Sequence, residues 1–319
     1  MDWAHKQAEE DLKELEDRIA RAYARALAEA QTKLENFTAS FYAKDEQKKI
    51  DLANGKITEE QYLNWRKGQF FIQGRWQALV DELARDLTET DKMAMELVAD
   101  NMVNTYVNNY NYGLFDVDQK ANISFNLTAY DKDKVLWLIK DNPDLLPLPD
   151  PEKMQQYDYI WNRNKINAEL VQSILQGEDL YQLADRLENV VGMDRNSAIR
   201  NARTLTTTAE NKGRLDSYLE FENKGIPMFK QWIATDDERT RASHHAIDHQ
   251  VKRPWEPFDN GLMYPGDTST HNGAEFYNCR CRLIANPYGI SPSKPADANL
   301  KNVSGGRGFK QWLKEALHG

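Results

Sequence analysis

Cysteine is nearly missing from this 319-residue chain: there are two, Cys279 and Cys281, separated by one residue. Two thiols so close together make no disulfide framework, and their scarcity points to synthesis in a reducing, cytosolic compartment. Long apolar runs are missing as well, with no 18 consecutive apolar residues anywhere, so no membrane-spanning helix is expected. The opening MDWAHKQAEED is polar and acidic, unlike a signal peptide. Net positive charge is lacking too: 41 Lys and Arg against 50 Asp and Glu leave −9, which excludes a uniformly basic nucleic-acid coat. Nor is there a His-Glu-x-x-His helix, a nucleophile elbow, a phosphate loop or a two-metal carboxylate set. A soluble intracellular product is expected.

What is present can build a core. The chain is 40% hydrophobic and 10% aromatic, and its length suits about two domains at roughly 150 residues each. Leu12, Leu15, Ile19, Ala22, Ala26, Ala30, Leu34, Phe37 and Phe41 recur at steps of three and four, predicting one long amphipathic helix. Asn54-Gly55 interrupts it, and Thr58 with Gln61 reads as a capping box that opens the next helix. There Trp65, Phe70, Phe71 and Trp76 are expected in the core of a helical bundle, with Gly68 and Gly74 marking a bend. NISFNLTAY alternates like a short strand, DKDKVLWLIKD like a short helix, and the proline-rich NPDLLPLPDP like a hinge. Helical spacing resumes from 157, with a C-cap at Gly177, a stop near Gly192 and a long helix from Ser197 to Phe221. MFKQWIAT reads as a strand.

The expected fold is α+β and predominantly α. It divides into a helical region 1–115, a connection 116–154, a small α/β module within 155–285 and a flexible tail 286–319. Charge is uneven: residues 280–319 hold seven Lys or Arg and two Asp or Glu, +5, so the preceding 279 residues carry −14. A basic tail on an acidic body suits contact with double-stranded DNA or an acidic partner.

Chemistry concentrates between Trp232 and Ile284. WIATDDERTRASHHAIDHQ and EFYNCRCRLI bring Asp236, Asp237, Arg239, Arg241, His244, His245, Asp248, His249, Cys279 and Cys281 into about fifty residues. His245 and His249 are four apart, as are His244 and Asp248, and a one-residue spacer puts both cysteines on one face of a strand. Two nitrogens from His245 and His249 with sulfurs from Cys279 and Cys281 would suit Zn²⁺, although paired zinc cysteines usually stand two to four residues apart. The alternative needs no cofactor. His244 bonds Asp248 across a turn, the cysteines are buried, and Arg239, Arg241, Arg280 and Arg282 pair with Asp236, Asp237 and Asp248 to pin a compact module.

In order, Trp232-x-Ala-Thr-x-Asp-x-Arg-Thr-Arg-x-x-His244, a following Ile-Asp248, a Tyr-Pro-Gly-Asp turn and Asn278-Cys279-Arg280-Cys281 resemble the phage Mu F-like head morphogenesis family. The helix SAIRNARTLTTTAENKGRLDSYLEF resembles the one that precedes this motif there, so the likeness covers roughly 155–285. Trp232, Asp236, Arg239, Arg241, His244, Asp248, Asn278, Cys279, Arg280 and Cys281 carry it. His249 stands where the family often has Gly, and Leu205 follows Arg203-Thr204 where the family commonly has Glu. The resemblance implies a minor capsid protein, made in the bacterial cytoplasm and packaged inside the virion. Its implied partners are the portal and capsid or scaffolding proteins, with a role in procapsid assembly and DNA packaging or delivery and no membrane or catalytic role. Some relatives carry toxin or transferase domains, but the 34 residues after 285 are too few for one. The rival reading is a metal-dependent nuclease or hydrolase with His245 and His249 as ligands and Asp248 as base.

Overall fold

The computed structural model describes residues 2–70, 75–121, 128–286 and 307–318. The described residues are 75% helical and include one small antiparallel sheet, the predominantly α, α+β architecture expected. Helix α1 (Trp3–Ala53) is followed by α2 (Glu59–Phe70), α3 (Arg75–Ala121), α4 (Lys132–Asp141), α5 (Pro151–Gln176) and α6 (Leu180–Asn223). Then come β1 (Lys230–Ile233), α7 (Ala242–Ala246), β2 (Val251–Lys252), α8 (Gly273–Phe276), β3 (Arg282–Ala285) and α9 (Arg307–His318). Among the described residues no helix is long and apolar enough to cross a membrane.

Several local expectations hold. The capping box forms reciprocally, Thr58 N–H donating to Gln61 at 2.9 Å and Gln61 N–H to Thr58 at 3.2 Å. Gly177 ends α5 at φ 73°, a left-handed turn that glycine adopts without a Cβ penalty. Asp131 caps α4 by accepting from Lys134 N–H. The expected strand at NISFNLTAY falls largely on 122–127, and the bend at Gly74 on 71–74, both outside the described residues. One boundary differs. The helix expected to stop near Gly192 runs through it, because a lone interior glycine costs a helix only about 1 kcal/mol.

Two compact units interleave along the chain. One is built from the described parts of Asp17–Glu96 and Asp150–Ile199. Its core holds Ile19, Tyr23, Leu34, Trp76, Leu83, Leu87, Ile166, Leu170, Leu183 and Leu187, all buried. A buried ion pair crosses it: Arg66 reaches Asp45 at 3.1 Å, while Tyr62 and the carbonyls of Gly177 and Glu178 accept from its terminal nitrogens and its Nε has no partner among the described residues. These acceptors offset part of the cost of burying the pair.

The other unit contains the described parts of Met1–Glu16, Leu97–Pro149 and Arg200–Gly319. Its helices α3 and α6 meet at glycines, Gly113 against Ser217 and Gly213 against the Tyr106–Tyr110 backbone. Strand β1 is central in the order β2-β1-β3, pairing Lys230 with Lys252 and with Ala285, and Trp232 with Leu283. Helix α9 is seated by Phe309, buried with Ala4, Tyr112 and Phe115 and flanked by Trp3 and Trp312. Within the tail expected to be flexible, Arg307–His318 is thus a docked helix, since that aromatic anchor removes apolar area from water. Residues 287–306 of the tail lie outside the described residues.

Candidate functional site

The sheet and its connecting loops lie along α6, and the contact is polar. Thr204, Thr207, Thr208, Asn211 and Arg214 form a stripe at three- and four-residue spacing. Thr207 Oγ1 donates to Cys279 O at 2.7 Å, and Asn211 Nδ2 to Cys281 O at 3.2 Å. Asn211 Oδ1 accepts from Leu283 N–H at 2.7 Å, Thr204 Oγ1 accepts from Asn278 N–H at 3.0 Å, and Arg214 reaches Leu283 O at 3.0 Å. The stripe therefore pairs the backbone of 278–283 much as a neighbouring strand would. Thr208 Oγ1 adds a bond to Gly266 O in the Tyr-Pro-Gly-Asp turn. There Gly266 sits at φ 80°, and a Cβ would lie 3.0 Å from Thr208 N. No periodic apolar signal marks these residues; the clue in the sequence is the run Thr-Leu-Thr-Thr-Thr with Asn211 and Arg214 following on one face. Asn211→Ala leaves a buried carbonyl and a buried N–H unpaired, so it is expected to lower stability by about 2–3 kcal/mol in urea unfolding. Thr208→Val, which loses one bond, should cost less.

The motif residues fall into linked clusters. Asn278 adopts φ 53°, a left-handed conformation that asparagine tolerates, where the chain turns into the Cys-Arg-Cys segment that leads to β3. Arg280 grips Asp237 with both terminal nitrogens, at 2.5 and 2.7 Å. Its hydrogen bond and charge hold the Asp237 carboxyl well below the usual carboxylate range. Asp237 also accepts from Arg239 N–H at 3.0 Å, closing the Asp-Asp-Glu-Arg loop, where Asp236 is exposed. Of the expected ion pairs, Arg280–Asp237 forms. Arg282 instead meets Asp2 at 3.2 Å, and Arg241 donates to Tyr277 O, because an arginine fork serves a backbone carbonyl as well as a carboxylate. A cleft of about 670 Å³ beside this strap is lined by Arg203, Arg239, Arg241, Arg280 and both cysteines, among others.

The bond expected between His244 and Asp248 does not form. Asp248 faces β1, accepting from Ala234 N–H at 2.8 Å and from His249 N–H at 3.0 Å, which ties the end of the strand to the turn after α7. His244 is buried under Trp232, ring centroids 5.1 Å apart and edge-on. Its Nε2 lies 3.1 Å from Glu275, and its Nδ1 lies 3.4 Å from Cys281 Sγ and 3.8 Å from Cys279 Sγ. His244, Cys279 and Cys281 thus gather, their ligand atoms within 4.8 Å of one another. His245 and His249 stand outside this set. Helix α7 is only five residues long, so the i, i+4 spacing makes no helical face; His245 is exposed, and His249 sits at φ 60° with Nδ1 3.4 Å from Gln231 Nε2. The cysteines split. Its hydrogen bond from Cys279 pulls the Cys281 thiol down to about 5, and the same contact with burial pushes Cys279 well above the ordinary thiol range.

Beneath the sheet, Lys230 is buried with Nζ on Pro254 O at 3.1 Å and Met263 O at 2.6 Å. Two acceptors suit a neutral amine, and burial pulls its pKa down to about 7. The unfolded chain then binds a proton that the fold lacks between pH 7 and about 10.4, so stability rises with pH across that window and the benefit is gone below it. Lys230→Met is expected to remove that rise, on the order of a few kcal/mol, in denaturation midpoints compared at pH 7 and 10.

Residues 164–284 match the family described as phage Mu protein F like protein. The chain is 27% identical over 210 residues to minor head protein GP7 of Bacillus phage SPP1, covering 64% of this chain and 66% of that protein. It is 24% identical over 208 residues to NAD(+)–arginine ADP-ribosyltransferase EFV of Enterococcus faecalis, covering 65% of this chain and 42% of that protein. The alignments thus span less than two thirds of either relative. No solved structure matches.

Proposed function

With residues 164–284 a phage Mu protein F like segment, we propose that this chain is a minor head protein of a tailed bacteriophage. It is made in the bacterial cytoplasm, joins the procapsid at the portal and stays inside the virion, where it assists assembly and DNA packaging or delivery. Likeness to a minor head protein over 64% of the chain supports that role. The observation that carries it is the use made of the motif. Asp237, Arg280, Asp248, Asn278 and the α6 stripe are bonded to one another or to backbone, the arrangement of a rigid assembly module. Portal, capsid or scaffolding proteins are the proposed partners, and the basic segment 286–319 would meet DNA electrostatically.

The metal-dependent hydrolase reading has less support, because its proposed base, Asp248, accepts two backbone N–H groups as a turn residue does. The ADP-ribosyltransferase alignment spans 42% of that enzyme, and its activity is not part of the proposed role. Full-length chain co-expressed with the portal protein of the same phage should co-purify with it through size exclusion. Separate elution of two well-folded proteins, with or without capsid and scaffolding subunits, would count against the portal assignment.

A further inference from the structure

The polar core of the motif leaves one cluster that its own hydrogen bonds do not explain. His244 Nε2 faces Glu275 at 3.1 Å, which assigns the ring proton to that nitrogen and leaves Nδ1 as an acceptor with one lone pair. Two sulfurs crowd that lone pair, at 3.4 and 3.8 Å. Both thiols cannot donate to it well. A cation placed between the three atoms is coordinated by all of them.

The spacing fits a particular cation. A tetrahedral Zn²⁺ with bonds of about 2.3 Å to sulfur and about 2.1 Å to nitrogen holds N and S about 3.6 Å apart. The two observed distances bracket that value. Thiolate and imidazole donors select zinc over hard cations such as magnesium or calcium. The surroundings are those of a ligated metal as well. Glu275 orients the imidazole from its far nitrogen, and Ser243 Oγ fixes Glu275 at 3.0 Å. Backbone N–H groups of Thr235 and Cys281 donate to the sulfurs of Cys281 and Cys279. All three donor side chains are at most 3% exposed, and they come from α7 and from the segment before β3 whose backbone is bonded to α6. A metal there would tie the two walls of the module together.

We infer that His244 Nδ1, Cys279 Sγ and Cys281 Sγ form a structural zinc site, oriented by Glu275, with water in the fourth position. Zinc binding releases the cysteine protons that remain, so the site loads as two thiolates and a neutral imidazole.

The test uses the intact chain. Protein purified without chelator should carry one zinc per chain, and the cobalt-substituted form should show the near-ultraviolet thiolate-to-cobalt charge-transfer band. Zinc should also slow alkylation of both cysteines many-fold, an effect that a chelator reverses. His244→Ala and Cys281→Ser should lose the metal, while His245→Ala and His249→Ala keep it. The wild-type cobalt spectrum and alkylation rates do not depend on any variant folding. Protein that stays zinc-free after zinc loading, with no charge-transfer band and no zinc effect on alkylation, overturns the site. So does loss of zinc in His245→Ala or His249→Ala with retention in His244→Ala, or a Cys279–Cys281 disulfide in freshly purified protein.

Discussion

Arg214→Met is expected to destabilise the protein by about 3–5 kcal/mol and to reverse the sign of one pH effect. Arg214 is buried at 3% exposure and spends its whole guanidinium on partners. Nη2 reaches Asp2 at 2.7 Å, Nη1 reaches Asp2 at 3.1 Å and Leu283 O at 3.0 Å, and Nε reaches Asn109 at 3.0 Å. Glu210 lies 3.6 Å away and holds His5 at 2.8 Å. One side chain therefore joins the start of α1, α3, α6 and β3. Methionine fills similar volume but takes from Asp2 its bidentate partner and from Asn109 and the Leu283 carbonyl a donor each, and weakening the partners of a buried charge is the costly outcome.

The pH signature identifies the cause. Burial alone would raise the Asp2 carboxyl, but the charge and hydrogen bonds of Arg214 outweigh it and hold Asp2 well below the usual carboxylate range. Its contribution is present above the unfolded value of about 3.9 and is lost as pH falls further toward the depressed folded value. Between pH 7 and 4 it is constant. In Arg214→Met the burial is opposed only by Arg282 and the His5 N–H, the weaker influences, so the folded pKa rises above 3.9 and protonation stabilises the fold. The variant should gain stability on acidification from pH 7 to about 4.5, measured as the difference in urea midpoint from wild type at each pH. A pH-independent difference would assign the loss to packing alone.

Gly213→Ala, one residue earlier, should cost about 3 kcal/mol although alanine is the better helix former. An added Cβ would stand 2.6 Å from Tyr106 O and 3.0 Å from Tyr110 N, both backbone atoms that no rotamer change can move aside. Helix α3 would have to retreat, lengthening the 2.7 Å bond from Tyr106 Oη to Asp216 and opening the contact of Gly113 with Ser217. Gly192→Ala in the same helix is the control: its Cβ meets nothing within 4 Å, so it should stabilise by about 0.5–1 kcal/mol. Opposite signs for the same substitution in one helix separate close helix contact from propensity.

Much of the fold could be read from local signals. The first helix, the capping box at Thr58, the turn at Gly177, the short helix after Asp131 and the strand at Lys230 each have a cause within a few residues. The continuity of α6 through Gly192 did not, because whether a mid-helix glycine breaks or is tolerated depends on neighbours that the local pattern omits. The polar stripe of α6 was missed for a related reason. Periodicity searches look for burial of apolar side chains, and here Thr204, Thr207, Asn211 and Arg214 are buried by pairing backbone. Within the motif, residue types were legible and partners were not. His244 and Asp248 share helical spacing, yet α7 ends at Ala246 and the two side chains diverge, one to Glu275 and the cysteines, the other to Ala234.

The central claim is that this module serves the phage head. The most direct measurement is the protein composition of heads assembled in cells expressing the full head gene set of the parent phage, purified by sedimentation, treated with nuclease and quantified by mass spectrometry. The account predicts a fixed, low copy number of this chain per head, unchanged by nuclease and lost when the portal is omitted. A chain that is abundant and folded in the lysate but absent from those heads would contradict it.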